Sequence, residues 1–168
     1  MLDARTREEL NEAYRIMRIV GIGIMASLPI LLLIVELLKK QYTPFKGFDP
    51  TPGSATVRYV IFGLCFGMFP LIRLLWNRIV SGQVPLAVRS GATSRAGILL
   101  SRMRSASVVS LALCETVAMF GFVLFLVGGN STEFYALLAL SLVFFAVNFP
   151  RYRQWEEFLE RSTVTHTP

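Results

Sequence analysis

The sequence predicts an all-α membrane protein: four transmembrane helices in two antiparallel hairpins, with amphipathic segments at both ends. Three observations carry this. Hydrophobic residues make up 54% of the 168-residue chain and charged residues 17%, at a mean hydropathy of +0.55, whereas a soluble domain is nearer a quarter charged. Four apolar runs, about residues 19–38, 57–76, 106–128 and 134–150, match the roughly 20 residues that cross ~30 Å of hydrocarbon. The basic residues flank these runs and form no patch on a polar domain. At this length a single integral membrane domain over 1–168 is expected.

The first eighteen residues are mixed-charge, with Leu10, Tyr14 and Met17 at helical spacing beside Glu8, Glu12 and Arg15. They read as an amphipathic, solvated lead-in and not as a cleavable signal peptide. Span one (19–38) carries one charge, Glu36, near its end, a Gly23-x-x-x-Ser27 step, and Pro29, whose ring bends a helix. Pro44, Gly47, Pro50, Pro52 and Gly53 then make the connection to span two a loop.

Span two (57–76) has Arg58 and Arg73 near its ends, which must snorkel to headgroups, and Trp76 as an interfacial anchor. It exits through Phe69-Pro70, as span four exits through Phe149-Pro150, a weak sign of internal duplication. From about Ser94 the sequence turns helix-compatible. Ile98, Leu99 and Met103 are expected towards lipid, with Arg95, Arg102 and Arg104 at headgroups. Span three (106–128) holds Glu115, and Gly128-Gly129-Asn130 turns the chain tightly into span four (134–150), whose polar side chains are Ser141 and Asn148. In the tail Tyr152, Trp155, Phe158 and Leu159 share one helix side, with Tyr152 and Trp155 as interfacial anchors.

Of the 17 basic residues, only Lys39, Lys40, Lys46 and Arg58 fall in the connections on one side. The rest, including Arg89, lie in the terminal segments and the middle loop, so the positive-inside rule places both termini in the cytoplasm of a bacterial inner membrane. The net charge of +6 is assigned to anionic headgroups and not to nucleic acid.

Close helix contact in lipid needs small residues. The candidates are Gly23 and Ser27 in span one, Gly63 and Gly67 in span two, and Ser110, Cys114, Ala118 and Gly121 in span three. Cys65 and Cys114 lie inside apolar spans without disulfide or zinc spacing and read as packing residues.

Glu115 is the one charge between Ala106 and Gly128. An ionised carboxylate at the bilayer centre costs about 2.5–3.5 kcal/mol, which makes it a candidate ion- or proton-binding group. Ala112 and Ala118 leave room beside it, so it is expected to point into a helix contact, with Arg73, Asn148 or Ser27 as partner. The bland alternative is a buried acid that fixes helix register.

The segment Leu113-Cys-Glu115-Thr-Val-Ala-Met-Phe-Gly121 resembles the carboxyl-bearing helix of the rotary ATP synthase proteolipid, subunit c. That resemblance, about twenty residues long, implies an oligomeric ring in which Glu115 carries a proton or sodium ion. The family's alternating-glycine helix has at best Gly21-Ile-Gly23 as a counterpart, and the acid helix here begins a hairpin instead of ending one. The overall plan is similar to an uncharacterised bacterial four-helix membrane family.

Enzyme chemistry is not expected. The single His, His166, is at the tail, and no nucleophile–base pair, metal-ligand cluster or phosphate loop appears. No cofactor, metal or small-molecule substrate is implied. The reading is a non-catalytic accessory, assembly or structural subunit that meets lipid and other membrane subunits or its own copies. The alternative is a proteolipid-like ion carrier using Glu115.

Overall fold

The computed structural model describes residues 4–42, 45, 47–48, 54–81 and 95–164. Pro44, Lys46, Pro50, Pro52, Gly53, Arg89 and His166 lie outside the described residues. Among the described residues six helices run in order: α1 Ala4–Met25, α2 Ser27–Gln41, α3 Ser54–Ser81, α4 Arg95–Gly128, α5 Ser131–Asn148 and α6 Tyr152–Val164. Four stretches, Thr6–Gln41, Thr56–Ile79, Gly97–Gly128 and Ser131–Asn148, are long and apolar enough to cross a membrane.

The first stretch joins α1 to α2 through a bend. Pro29 has no N–H to offer and its ring crowds the carbonyl four residues back, that of Met25. The chain yields at Ala26, which stays right-handed at φ −67°, ψ −16°. The Ser27 hydroxyl donates to the Ile24 carbonyl at 2.8 Å in the same turn. A buried stripe of Leu10, Ala13, Met17, Leu28, Leu31 and Val35 continues across the bend, so both helices turn one face to one neighbour.

That neighbour is α4. Helices α1, α2, α3, α5 and α6 all pack on it, while α1–α2 and α3 scarcely touch each other. The first two spans are therefore laid separately against α4 and are not packed as a pair. On α3 the covered stripe is Cys65 and Ile72, with Ile61 and Met68 partly covered. Pro70 does not end α3, which continues to Ser81. Pro150, by contrast, comes directly after Phe149, the C-cap of α5, so the two Phe-Pro steps do different structural work.

The α4–α5 connection follows from its residues. Gly129 adopts φ +69°, a left-handed conformation that suits glycine, and its N–H donates to Phe125 O at 2.8 Å. Asn130 caps α5, its Oδ1 accepting from Thr132 N at 3.1 Å. The residues of the preceding loop that the structure describes are fastened to the same end. Phe45 stacks on Phe125 at 5.0 Å, and Phe48 N donates to Leu126 O at 2.9 Å. Gly47, at φ +81°, lies so close to the Val127 carbonyl that a Cβ would collide with it.

The two chain ends depart from the sequence expectation. Leu99 and Met103 are 8% and 2% exposed, and they join Leu10, Met17, Trp155 and Leu159 in the core. They do not face lipid because α1 and α6 cover the start of α4. Trp155 is fully buried and is a core residue in place of a lipid-interface anchor, and Tyr152 is half-buried. Tyr14 meets both edge-on, at 5.4 and 6.2 Å between ring centroids. Where these ends leave hydrocarbon, each buried Leu or Met contributes about 1.5–3 kcal/mol.

Candidate functional site

Along α4 the small residues Ser110, Cys114, Ala118 and Gly121 are all buried. Helix α5 takes up part of that ridge. A Cβ on Gly121 would stand 2.9 Å from Leu137 Cβ and 3.3 Å from the Phe134 carbonyl. Ser141 Oγ donates to the Cys114 carbonyl at 2.7 Å. Gly21, which the spacing argument passed over as a packing residue, is buried where a Cβ would meet Leu111 and Phe149, both at 3.2 Å. Gly23, Gly63 and Gly67 lie exposed, and a Cβ on any of them would meet nothing within 4 Å. The G-x-x-x-G step of α3 thus faces away from the bundle.

Glu115 is half-buried, next to Cys114 in the ridge but turned to its flank. Its own side of α4 carries Val108, Ala112, Met119 and Val123, all exposed. These positions recur at helical spacing, so α4 leaves one stripe open with the carboxyl at its centre. Among the described residues Glu115 makes no hydrogen bond or ion pair. The expected partners are engaged or directed elsewhere. Ser27 bonds back to the Ile24 carbonyl of α1, and Asn148 bonds within its own helix, its Nδ2 donating to Phe144 O at 2.9 Å. Asn148 also approaches Cys114 Sγ at 4.0 Å. Arg73 lines a cavity together with Asn148. The carboxyl is therefore not enclosed between the described helices as the small neighbours Ala112 and Ala118 had implied.

That cavity, about 360 Å³, opens at the end of the bundle where α6 begins. Its walls are Ile72, Arg73 and Trp76 from α3, Met103 from α4, and Val147 and Asn148 from α5. Gln154, Glu157 and Phe158 of α6 complete it. Trp76 is half-buried there.

At the opposite end a polar cluster ties α2, α3 and α5 together, and the sequence reading missed it. The Tyr135 hydroxyl donates to Glu36 Oε1, while Lys39 Nζ donates to the same hydroxyl at 3.0 Å. Arg58 Nε pairs with Glu133 Oε1 at 2.7 Å, and Asn130 Nδ2 donates to that oxygen at 3.0 Å. The Asn130-x-x-Glu133 spacing of a helix start was readable. So was the placing of Arg58 and Glu133 at matching depth, whereas nothing local marked Tyr135. Both cysteines are buried free thiols. Among the described residues no group of three or more His, Cys, Asp or Glu gathers to hold a metal.

These features define a helical protein with four candidate membrane spans, three of them packed on the fourth, α4, an open stripe bearing one acid, and a mixed-charge cavity at one end. Comparison with known protein families, with characterised proteins and with solved structures finds no match to the chain.

Proposed function

We infer that this protein is a non-catalytic multi-pass subunit of a membrane complex, with an accessory, assembly or structural role. In this reading the four spans cross a bacterial inner membrane as two antiparallel hairpins and both termini are cytoplasmic, as the arginine distribution favours.

The observation that carries the reading is Glu115. A half-buried carboxyl without a partner among the described residues, within an otherwise apolar open stripe, is costly against lipid. A helix from another subunit that supplies a hydrogen-bond donor there would remove that cost. The bare Gly63 and Gly67 on α3 offer a second place where a helix backbone can approach closely.

Native mass spectrometry of the gently solubilised protein tests this directly. The expected result is a stable larger assembly containing a different chain. Glu115→Gln keeps the hydrogen-bonding capacity and should leave that assembly intact, whereas Glu115→Leu should weaken it. A monodisperse monomer in all preparations would contradict the proposal.

The second reading is a proteolipid-like carrier, in which copies form a ring and Glu115 exchanges a proton or ion. It is favoured by the same carboxyl being the lone charge in its span. Here native mass spectrometry would give a homo-oligomer, and Glu115→Gln would abolish carbodiimide labelling and ion flux while the fold survives.

A further inference from the structure

The geometry points to a phospholipid headgroup site in the cavity where α3, α5 and α6 meet, taking a phosphate ester that carries an ammonium group. The cavity measures about 360 Å³, at the lower end of the roughly 300–1,000 Å³ range of small-ligand pockets. It can hold a headgroup but not acyl chains.

Its walls carry one cation and one anion, Arg73 and Glu157. Both are exposed, and among the described residues neither makes an ion pair, with the other or with anything else. Two opposite charges that border one space and leave each other unneutralised match a ligand bearing both signs. The Arg73 guanidinium offers a planar fork of N–H donors suited to a phosphate. The Glu157 carboxylate suits an ammonium, and the Trp76 ring in the same wall adds a face that attracts cations. Asn148 directs its amide hydrogens to Phe144 O and Cys114 Sγ, and its Oδ1 remains an acceptor. A purely anionic headgroup would meet repulsion from Glu157.

The position fits a lipid better than a soluble ester. The cavity sits where the apolar run of α5 stops, just before Pro150, so it lies at headgroup depth if α5 crosses the bilayer. Val147 both lines the cavity and is 51% exposed, and Leu71 and Leu74 are exposed on α3. Acyl chains thus have apolar surface to follow away from the site. The inference rests on the four helices crossing a membrane and is independent of the subunit assignment.

The test reads lipid retention, a signal separate from the mass of any protein assembly. Full-length protein is extracted from vesicles holding equal amounts of ethanolamine and glycerol phospholipids, and bound lipid is measured by native mass spectrometry. The expected result is retained ethanolamine phospholipid in preference to glycerol phospholipid. Glu157→Gln, at an exposed side chain, should erase that preference while retention persists, and Arg73→Gln should cut retention about tenfold, as loss of a charge-assisted bond implies. Equal retention of the two lipids by the unaltered protein, or no response to either substitution, would overturn the proposal. Displacement of the lipid by millimolar glycerophosphoethanolamine would also overturn it, by assigning the cavity to a soluble phosphate ester.

Discussion

The Ser141 hydroxyl reaches across from α5 to the main-chain carbonyl of Cys114, at 2.7 Å. This is a helix-to-helix hydrogen bond made to backbone, so no rotamer change on α4 can release it. It is possible because the buried row Ser110, Cys114, Ala118 and Gly121 lets the two helices come close. Fully buried, Ser141 has no water to turn to.

Ser141→Ala should therefore lower stability by roughly 0.6–1.5 kcal/mol, the range of single interhelical bonds in membranes and of buried hydrogen bonds generally. Unfolding in mixed micelles by detergent titration would measure it. No loss would mean that the bond is not formed in the bilayer.

Gly121 and Gly63 make a matched contrast. Gly121→Ala places a methyl 2.9 Å from Leu137 Cβ and 3.3 Å from the Phe134 carbonyl, an overpacking of about 1–3 kcal/mol. Gly63→Ala and Gly67→Ala add a methyl in open space and should leave the isolated chain as stable or more so. If the same two changes weaken a larger assembly, the outward step of α3 is where a second helix sits.

Trp155 separates shape from polarity. It is fully buried, and among the described residues its Nε1 has no hydrogen-bond partner. Trp155→Phe should thus cost far less than Trp155→Ala, for which about 3–5 kcal/mol is expected. Protease sensitivity of the tail, compared between the two variants, would report whether α6 detaches.

At the other end, Glu133 serves two donors, Arg58 at 2.7 Å and Asn130 at 3.0 Å. Glu133→Gln should destabilise more than Arg58→Gln, because it disturbs both the ion pair and the start of α5. The Arg58 side chain is 41% exposed, so solvent screening limits the pair itself. A double-mutant cycle should return a coupling of about 0.2–1 kcal/mol.

The four long helices were legible because length and hydropathy are local properties of the chain. Pro29 marked the bend at Ala26, and Gly129 with Asn130 marked the turn between α4 and α5. What was not legible was which face each helix would find covered. Leu99 and Met103 look the same to a periodicity argument whether lipid or a helix lies against them, and the outcome depended on α1 and α6 folding over them. Gly63 and Gly67 satisfy the packing pattern as well as Gly121 does, yet only Gly121 faces a neighbour in this chain. Glu115 was recognisable as costly from its span, but its openness required knowing that none of the described helices lies over Val108, Ala112 and Met119.

Helix α4 leaves the ribosome third among the spans, yet the earlier two scarcely touch each other and pack chiefly on it. If the spans cross a bilayer, the N-terminal half of the protein gains its main partner only once residues beyond Arg95 have been synthesised. A chain stopped after Ser81 would hold two spans with scarcely a contact between them.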